Sequence, residues 1–437
     1  MYVAVAPRWQ ATPGRATKVP ICNECYSVCY SPSPLLVILF ILKLKMGSRR
    51  QLALLILGWI SVACSSGLIS FALPLIRREW ALTGSQTGVM LNSFLVGMLG
   101  GASIFGRISD VRGRRQACIL SLILLLIGTV SCGVAPNWML MSILRLVAGI
   151  GATGYMVSAS TLLIETSPED VRGRYVAILE SGWAYGWLIA SYLGLIVAPK
   201  YGWRPVFAGG LISLVALAAV YLARESEVYR RAVRTPLSQA LKTLLSQRYL
   251  KVTIMLWIHW ICIVLAYWGI FLWLPNILYE RGLTLVKSLK YSFFITLIQI
   301  PGYWSGAYFV EKLGRKLSLS LYMLLAGLGS IFYMYSGSEA QIVASAFLIS
   351  LFNLGAWGIT YAYTPELYPA RIRGLGAGWA NMMGRIGGIV GPFLVGLLLD
   401  VTGTYLVAFA MFAGVHFLSS AIIMLLGVET KGARLEE

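Results

Sequence analysis

Acidic residues are scarce in this chain: 17 Asp and Glu in 437 residues, with charged residues of both signs only 12% of the total. Histidine is scarcer still, with two, which leaves little from which to build a histidine-rich metal centre. There is no Gly-rich phosphate loop, so ATP drive is not expected, and neither a nucleophile elbow nor a metal-ligand box points to an enzyme. Cysteines number seven. Cys64, Cys118, Cys132 and Cys262 are scattered through apolar stretches and suggest no disulfide framework. Cys22, Cys25 and Cys29 cluster, but a closed zinc site wants four ligands and no fourth lies near them in sequence. No metal or cofactor is expected.

What fills the chain is apolar: 58% of residues, with a mean hydropathy of +0.75. A helix needs about 20 apolar residues to cross the hydrocarbon core. Twelve such runs are present, at about 51–75, 87–108, 117–135, 138–163, 175–198, 203–223, 252–279, 288–310, 317–337, 339–364, 375–399 and 404–427. Backbone groups cannot stay unpaired in lipid, so each run is expected to be a helix. The fold class is all-α, polytopic, with twelve membrane-spanning helices. Residues 1–45 hold an apolar stretch, PLLVILFIL, too short to span, and read as an extension ahead of a natural start at Met46.

A net charge of +19 raises nucleic acid as a partner, but the placement of the charge argues against it. With both termini on one side of the twelve-helix plan, 27 Lys and Arg fall on that side, seven on the other, and two, Arg145 and Arg385, inside spans. By the positive-inside rule both termini are cytoplasmic in a multi-pass protein of the cell membrane. The basic excess reports topology. The expected partners are the bilayer and a small molecule, and a monomer is expected.

The chain repeats itself. DVRGRR at 110–115 matches EKLGRK at 311–316, and ETSPEDVRG at 165–173 matches ELYPARIRG at 366–374, both at an offset of 201. Two motifs sharing one offset divide the protein into six-helix halves, 46–223 and 251–437, joined by a basic linker at 224–250. Duplicated halves around a central site are a common transporter plan.

The motif at 106–115, GRISDVRGRR, packs five charges between two apolar runs. Gly113 permits a tight turn, and the arginines hold the hairpin at the headgroups. Asp110 sits at a helix carboxyl end, where its own dipole disfavours it, so it needs a positive partner. The amino ends of the fifth and eleventh spans, after Arg172-Gly173 and Arg373-Gly374, lie on the same side. The cluster is suited to latching the two halves at the cytoplasm.

These motifs resemble those of the major facilitator superfamily. GxxxDxxGRR is similar to its signature loop, and ExxPxxxRG in both halves, RESEVY after the sixth span and VETKG after the twelfth resemble its sugar-porter-like branch. LESGWAYGWLIA (179–190), FLWLPNILYERG (271–282) with IPGYWSGAYFVEKLGRK (300–316), and LFNLGAWGITYAYTPELYP (351–369) look most like bacterial niacin permeases. The resemblance covers residues 46–437 and implies the major facilitator fold. It also implies a cytoplasmic gate built from Asp110, Arg114, Arg115, Glu165, Arg172 and Glu225 in one half and Glu311, Arg315, Glu366, Arg373 and Glu429 in the other. Three departures stand out. Val111 replaces the usual basic residue after the signature Asp, the seventh span lacks the glutamine pair of sugar porters, and the first span, ISVACSSGL, lacks the acids that aromatic-acid proton symporters often carry.

Ionisable side chains inside spans cost about 2.5–3.5 kcal/mol each at the helix centre, so each needs a reason. Arg385 lies near mid-membrane on a face with Asn381. The offset of 201 places Glu180, which shares a face with Trp183 and Trp187, on Asn381 of the other half. A guanidinium in a central cavity suits a carboxylate, and Trp183, Trp187, Trp268 and Trp357 offer flat surfaces for a ring. Arg385 therefore reads either as the substrate's anchor or as a structural partner of Glu180. Glu180, the only acid inside a span, and Arg145 are the coupling candidates. His259 and His416 read as hydrogen-bonded packing residues, and Trp138 and Trp273 as members of an interface belt.

The function expected is secondary transport of a small organic anion, with nicotinate or a related aromatic carboxylate first. The alternatives are a sugar or another organic anion, and, from a different class, a transporter-like sensor. A sensor would normally carry a soluble signalling domain, and ten residues follow Gly427.

Overall fold

Each apolar run becomes helix, as the absence of backbone partners in lipid requires. The structure, a computed structural model, describes residues 47–168, 172–226, 245–368 and 370–431. The extension at 1–45 and most of the linker lie outside them. The described helices are α1 (Ser48–Trp80), α2 (Gly84–Arg112), α3 (Arg114–Ser131), α4 (Trp138–Thr166), α5 (Arg172–Tyr201), α6 (Ile212–Tyr221, after a 3-10 stretch at Arg204–Leu211), α7 (Gln247–Glu280), α8 (Leu285–Leu297), α9 (Gln299–Leu313), α10 (Arg315–Met334), α11 (Glu339–Glu366), α12 (Ala370–Thr402) and α13 (Leu406–Leu426). The end of the bundle that holds Ser48 and Leu426 is called here the terminal face.

Eleven of the twelve predicted spans are helices long and apolar enough to cross a membrane by themselves. The remaining one, 288–310, is delivered in two pieces, α8 and α9, broken at Ile298. Pro301 explains the break, because it has no N–H to donate to the carbonyl of Leu297.

The repeat seen in the sequence recurs in the packing. A β-carbon on Gly186 would overlap the carbonyl oxygen of Ile60, and one on Gly387 that of Ile261, so α5 rides on α1 as α12 rides on α7. Both pairs are related by 201. Ser70 Oγ donates to the carbonyl of Phe271, its own counterpart at that offset, at 2.7 Å. Equivalent residues touch each other only near a pseudo-two-fold axis, which therefore passes between α1 and α7. Glycines of the fourth span allow close helix approaches: Gly149 meets the backbone of Phe94 on α2, and Gly151 that of Ser121 on α3.

At the face opposite the termini, helices start with side-chain caps. Thr83 and Gln86 form a capping box at α2, as do Ser338 and Gln341 at α11. At the terminal face, α3 and α10 start directly from Gly113 and Gly314, at φ +105° and +88°. Their first amides are capped by distant acids. Arg115 N donates to Glu225 at 3.0 Å, while Arg315 N and Lys316 N donate to Glu429 at 2.8 and 3.1 Å.

His259 is buried between the hydroxyls of Ser419 and Thr360, and His416 between the carbonyl of Phe412 and Asn353, so both are hydrogen-bonded packing residues. Trp273 corrects an expectation. It is fully buried, not in a lipid-facing belt, and its indole donates to the carbonyl of Pro392 on α12 at 3.1 Å.

Candidate functional site

A cavity of about 1420 Å³ lies between the halves. Ile164, Arg172, Glu311, Arg315 and Pro365 line its mouth at the terminal face, and it ends inward at Leu95, Trp268 and Gly388. Beyond that end the halves are sealed. A β-carbon on Gly84 would overlap the carbonyl of Gly396, and Asp400 of α12 accepts from the amides of Gly84 and Ser85 at 2.5 and 2.7 Å. Arg77 pairs with Glu280 across the same seam and lies 5.5 Å over the Trp273 ring. Near the open end α2 has no such neighbour among the described residues. Gly106 has nothing within 4 Å of where its β-carbon would stand.

The residues expected at the gate form two matched clusters, one per half. Arg114 binds Asp110 at 2.6 Å and both oxygens of Glu165 at 3.2 and 3.3 Å. Arg315 reaches Glu311 at 3.6 Å and forks onto Glu366 at 3.1 and 3.3 Å. Arg115 also reaches the carbonyl of Tyr221, and Arg172 donates to that of Ser167. The side chain of Arg373 lies outside the described residues. Glu429, outside the spans, is raised by burial, but the amides of Lys431, Arg315, Lys316 and Thr430 outweigh this and hold it below the usual carboxylate range.

Arg385 and Glu180 line the cavity from opposite halves, on α12 and α5. Among the described residues, neither has a hydrogen bond, and no ion pair within 4.0 Å joins them. The structural pairing of the two is therefore not made, and both side chains face the cavity. Asn381, one turn from Arg385, donates to the hydroxyl of Tyr361 at 3.1 Å.

The walls are aromatic. Trp183 and Trp268 meet edge to face at 5.8 Å, and the Trp183 indole donates to Tyr267 at 2.9 Å. Trp357 packs on Tyr267 at 5.1 Å and Trp260 on Tyr361 at 5.2 Å. Three of the four tryptophans expected at the site, Trp183, Trp268 and Trp357, line the cavity. Trp187 does not. It stands behind them, buried against Phe71, Tyr267 and Trp268. Arg145, named with Glu180 as a coupling candidate, does not line the cavity. It is fully buried, donates to the carbonyls of Ser65 and Ser66 at 2.8 and 3.1 Å, and lies 4.3 Å over Phe94, fastening α4 to α1 and α2. Sequence reasoning missed Tyr303 and Tyr361, which line the cavity. Tyr361 was within reach, since it follows Trp357 by four residues on one helical face.

The family model described as Major Facilitator Superfamily matches residues 54–338 and 293–436. The chain belongs to the major facilitator superfamily. It is a membrane transporter and not an enzyme, and its twelve spans are that family's two six-helix halves. The chain is 36% identical over 393 residues to the putative niacin/nicotinamide transporter NiaP of Bacillus subtilis (strain 168), covering 89% of this chain and 98% of that one. To the niacin transporter NiaP of Acinetobacter baylyi it is 35% identical, covering 87% and 94%. Among solved structures it resembles the D-xylose–proton symporter, with a TM-score of 0.71, 19% identity, and 92% and 100% of the two chains covered. At that identity the likeness speaks for the fold alone.

Proposed function

We propose that this superfamily member is a secondary transporter that moves a small aromatic carboxylate, nicotinate first, across the cytoplasmic membrane by alternating access, coupled to protons through Glu180. One observation carries the reading: the Arg385 guanidinium, deep in the bundle, faces an indole-walled cavity and has no hydrogen-bond or ion-pair partner among the described residues. Placing a cation there costs several kcal/mol unless something compensates it, and a carboxylate matches its fork with two charge-assisted hydrogen bonds. A flat ring attached to that carboxylate meets Trp183, Trp268 or Trp357. The names of the NiaP relatives support the same ligand.

The basic terminal face is read as cytoplasmic, with both termini inside and a monomer as the working unit. The described state is then open to the cytoplasm and sealed by Asp400 and the Arg77–Glu280 pair on the other side. The clusters around Asp110 and Glu311 close the cytoplasmic mouth in the alternate state.

The test is uptake of labelled nicotinate by cells or liposomes carrying the protein, against a panel of competing acids and sugars. Nicotinate and related ring carboxylates should compete while xylose and glucose do not. Accumulation of a sugar with indifference to nicotinate would overturn the proposal.

A further inference from the structure

The cavity has two poles, one in each half. Arg385 supplies the cationic one. Opposite it, Glu180 on α5 presents a carboxyl group that no donor or acceptor among the described residues engages. Several other polar groups nearby are already occupied within the protein. The Trp183 indole is bonded to Tyr267, the Trp260 indole to Thr364, and the Asn381 amide to Tyr361. A ligand that carried only a carboxylate would satisfy Arg385 and leave Glu180 facing a ring C–H. A desolvated polar group left without its hydrogen bond costs about 1–3 kcal/mol.

We infer that Glu180 selects ring carboxylates bearing a basic ring nitrogen over their carbocyclic analogues, by sharing a proton with that nitrogen while Arg385 holds the carboxylate. This rests on the ring-carboxylate reading above and narrows it to pyridine carboxylates. One proton serves the contact, either as a carboxylic O–H donating to the nitrogen lone pair or as a pyridinium N–H donating to the carboxylate, and the heavy atoms stay in place. A ligand held this way also bridges α5 and α12, so it ties the two halves together as it binds. The indoles grip the ring of either ligand class equally, so they supply affinity, and Glu180 supplies the choice between them.

The experiment is equilibrium binding of labelled nicotinate and of benzoate to the purified full-length protein, in wild type, Glu180→Leu and Glu180→Ala, with thermal unfolding recorded for each. The wild type should prefer nicotinate by about 10- to 100-fold, the equivalent of one such hydrogen bond. In either variant the ratio should fall to within about threefold of unity, through weaker nicotinate binding. Two variants of different bulk are used so that one folded protein suffices. A wild type that binds benzoate as tightly as nicotinate would overturn the inference, as would a folded variant that keeps the wild-type ratio. So would parallel loss of both ligands in a folded variant. Failure of the wild type to bind either ring acid would instead overturn the reading on which it rests.

Discussion

Asp400 and Ser85 lie 315 residues apart and meet across the seam between the halves, where the Asp400 carboxylate accepts from the Ser85 amide at 2.7 Å and its hydroxyl at 2.5 Å. The amide of Gly84 completes the cap. A carboxylate at the carboxyl end of α12 thus closes on the amino end of α2, which relieves its own helix dipole and complements that of its partner. This is the arrangement that Asp110 and the eleventh span were expected to make at the other face, with the same two helices in exchanged roles.

Asp400→Ala should loosen this seal and raise the population of the state open at the face opposite the termini. Cutting charge-assisted hydrogen bonds to helix amides removes about 1.5–3 kcal/mol, so the shift should be at least several-fold. Alkylation of Leu95→Cys, at the inner end of the cavity, by an impermeant reagent added outside reads that population. Equal alkylation in the presence and absence of Asp400 would show that the cap does not hold the seal.

Arg385→Ala should weaken nicotinate binding by roughly 2–5 kcal/mol, the range seen when one partner of a buried charge pair is removed. Arg385→Lys should recover part of this, because an ammonium cannot make the fork. Nicotinamide, which lacks the charge, should depend on Arg385 much less. Binding of both ligands to the three proteins, with surface expression checked, decides the matter. A well-expressed Arg385→Ala protein that binds nicotinate normally would make Arg385 structural.

Glu180→Gln should uncouple transport from a pH gradient while retaining exchange of substrate across the membrane, because the amide cannot carry a proton through the cycle. Paired assays of gradient-driven accumulation and counterflow in liposomes separate the two. Accumulation that still follows the pH gradient in this variant would remove Glu180 from the coupling.

Glu429 gives a pH dependence at the terminal face. Its pKa in the folded protein lies below the ordinary carboxylate value of about 4.3. The docking of residues 428–431 onto the α9–α10 turn is therefore fully present above that value and is lost as pH falls through the depressed one. Amide exchange at Arg315 and Lys316, corrected for intrinsic rate, should be flat between pH 5 and 7 and rise only at about pH 4 or below. Glu429→Gln should raise it several-fold at neutral pH. A rise centred near pH 6 would assign the docking to another group.

Much of the fold was legible because membrane helices obey a coarse rule of length and polarity. Eleven spans followed from apolar runs alone, and the break in the other followed from Pro301, visible in the sequence but not weighed there. The site was legible in part. Arg385 and Glu180 stood out because ionisable groups in spans are expensive, and Asn381 because it shares a face with Arg385 and matches Glu180 at the offset of 201. Trp187 and Trp273 were misplaced because an indole in a span has three destinations, lipid headgroups, bundle packing or a cavity wall, and helical period does not choose among them.

The residues themselves determined the number of spans, the basic face, the two halves at an offset of 201 and the glycines at which helices approach closely. These depend on hydrophobicity, charge count and local backbone freedom, all of which act along one chain segment at a time. Only the tertiary structure decided that Asp400 meets Ser85, that Trp273 lies buried against α12, that Arg145 is fastened to α1 carbonyls, and that Arg385 and Glu180 share one cavity unpaired. Those contacts join distant segments and, in most cases, depend on how two rigid halves lean against each other. States of such a pair that open on opposite faces differ by only a few kcal/mol, less than any local pattern in the sequence can resolve.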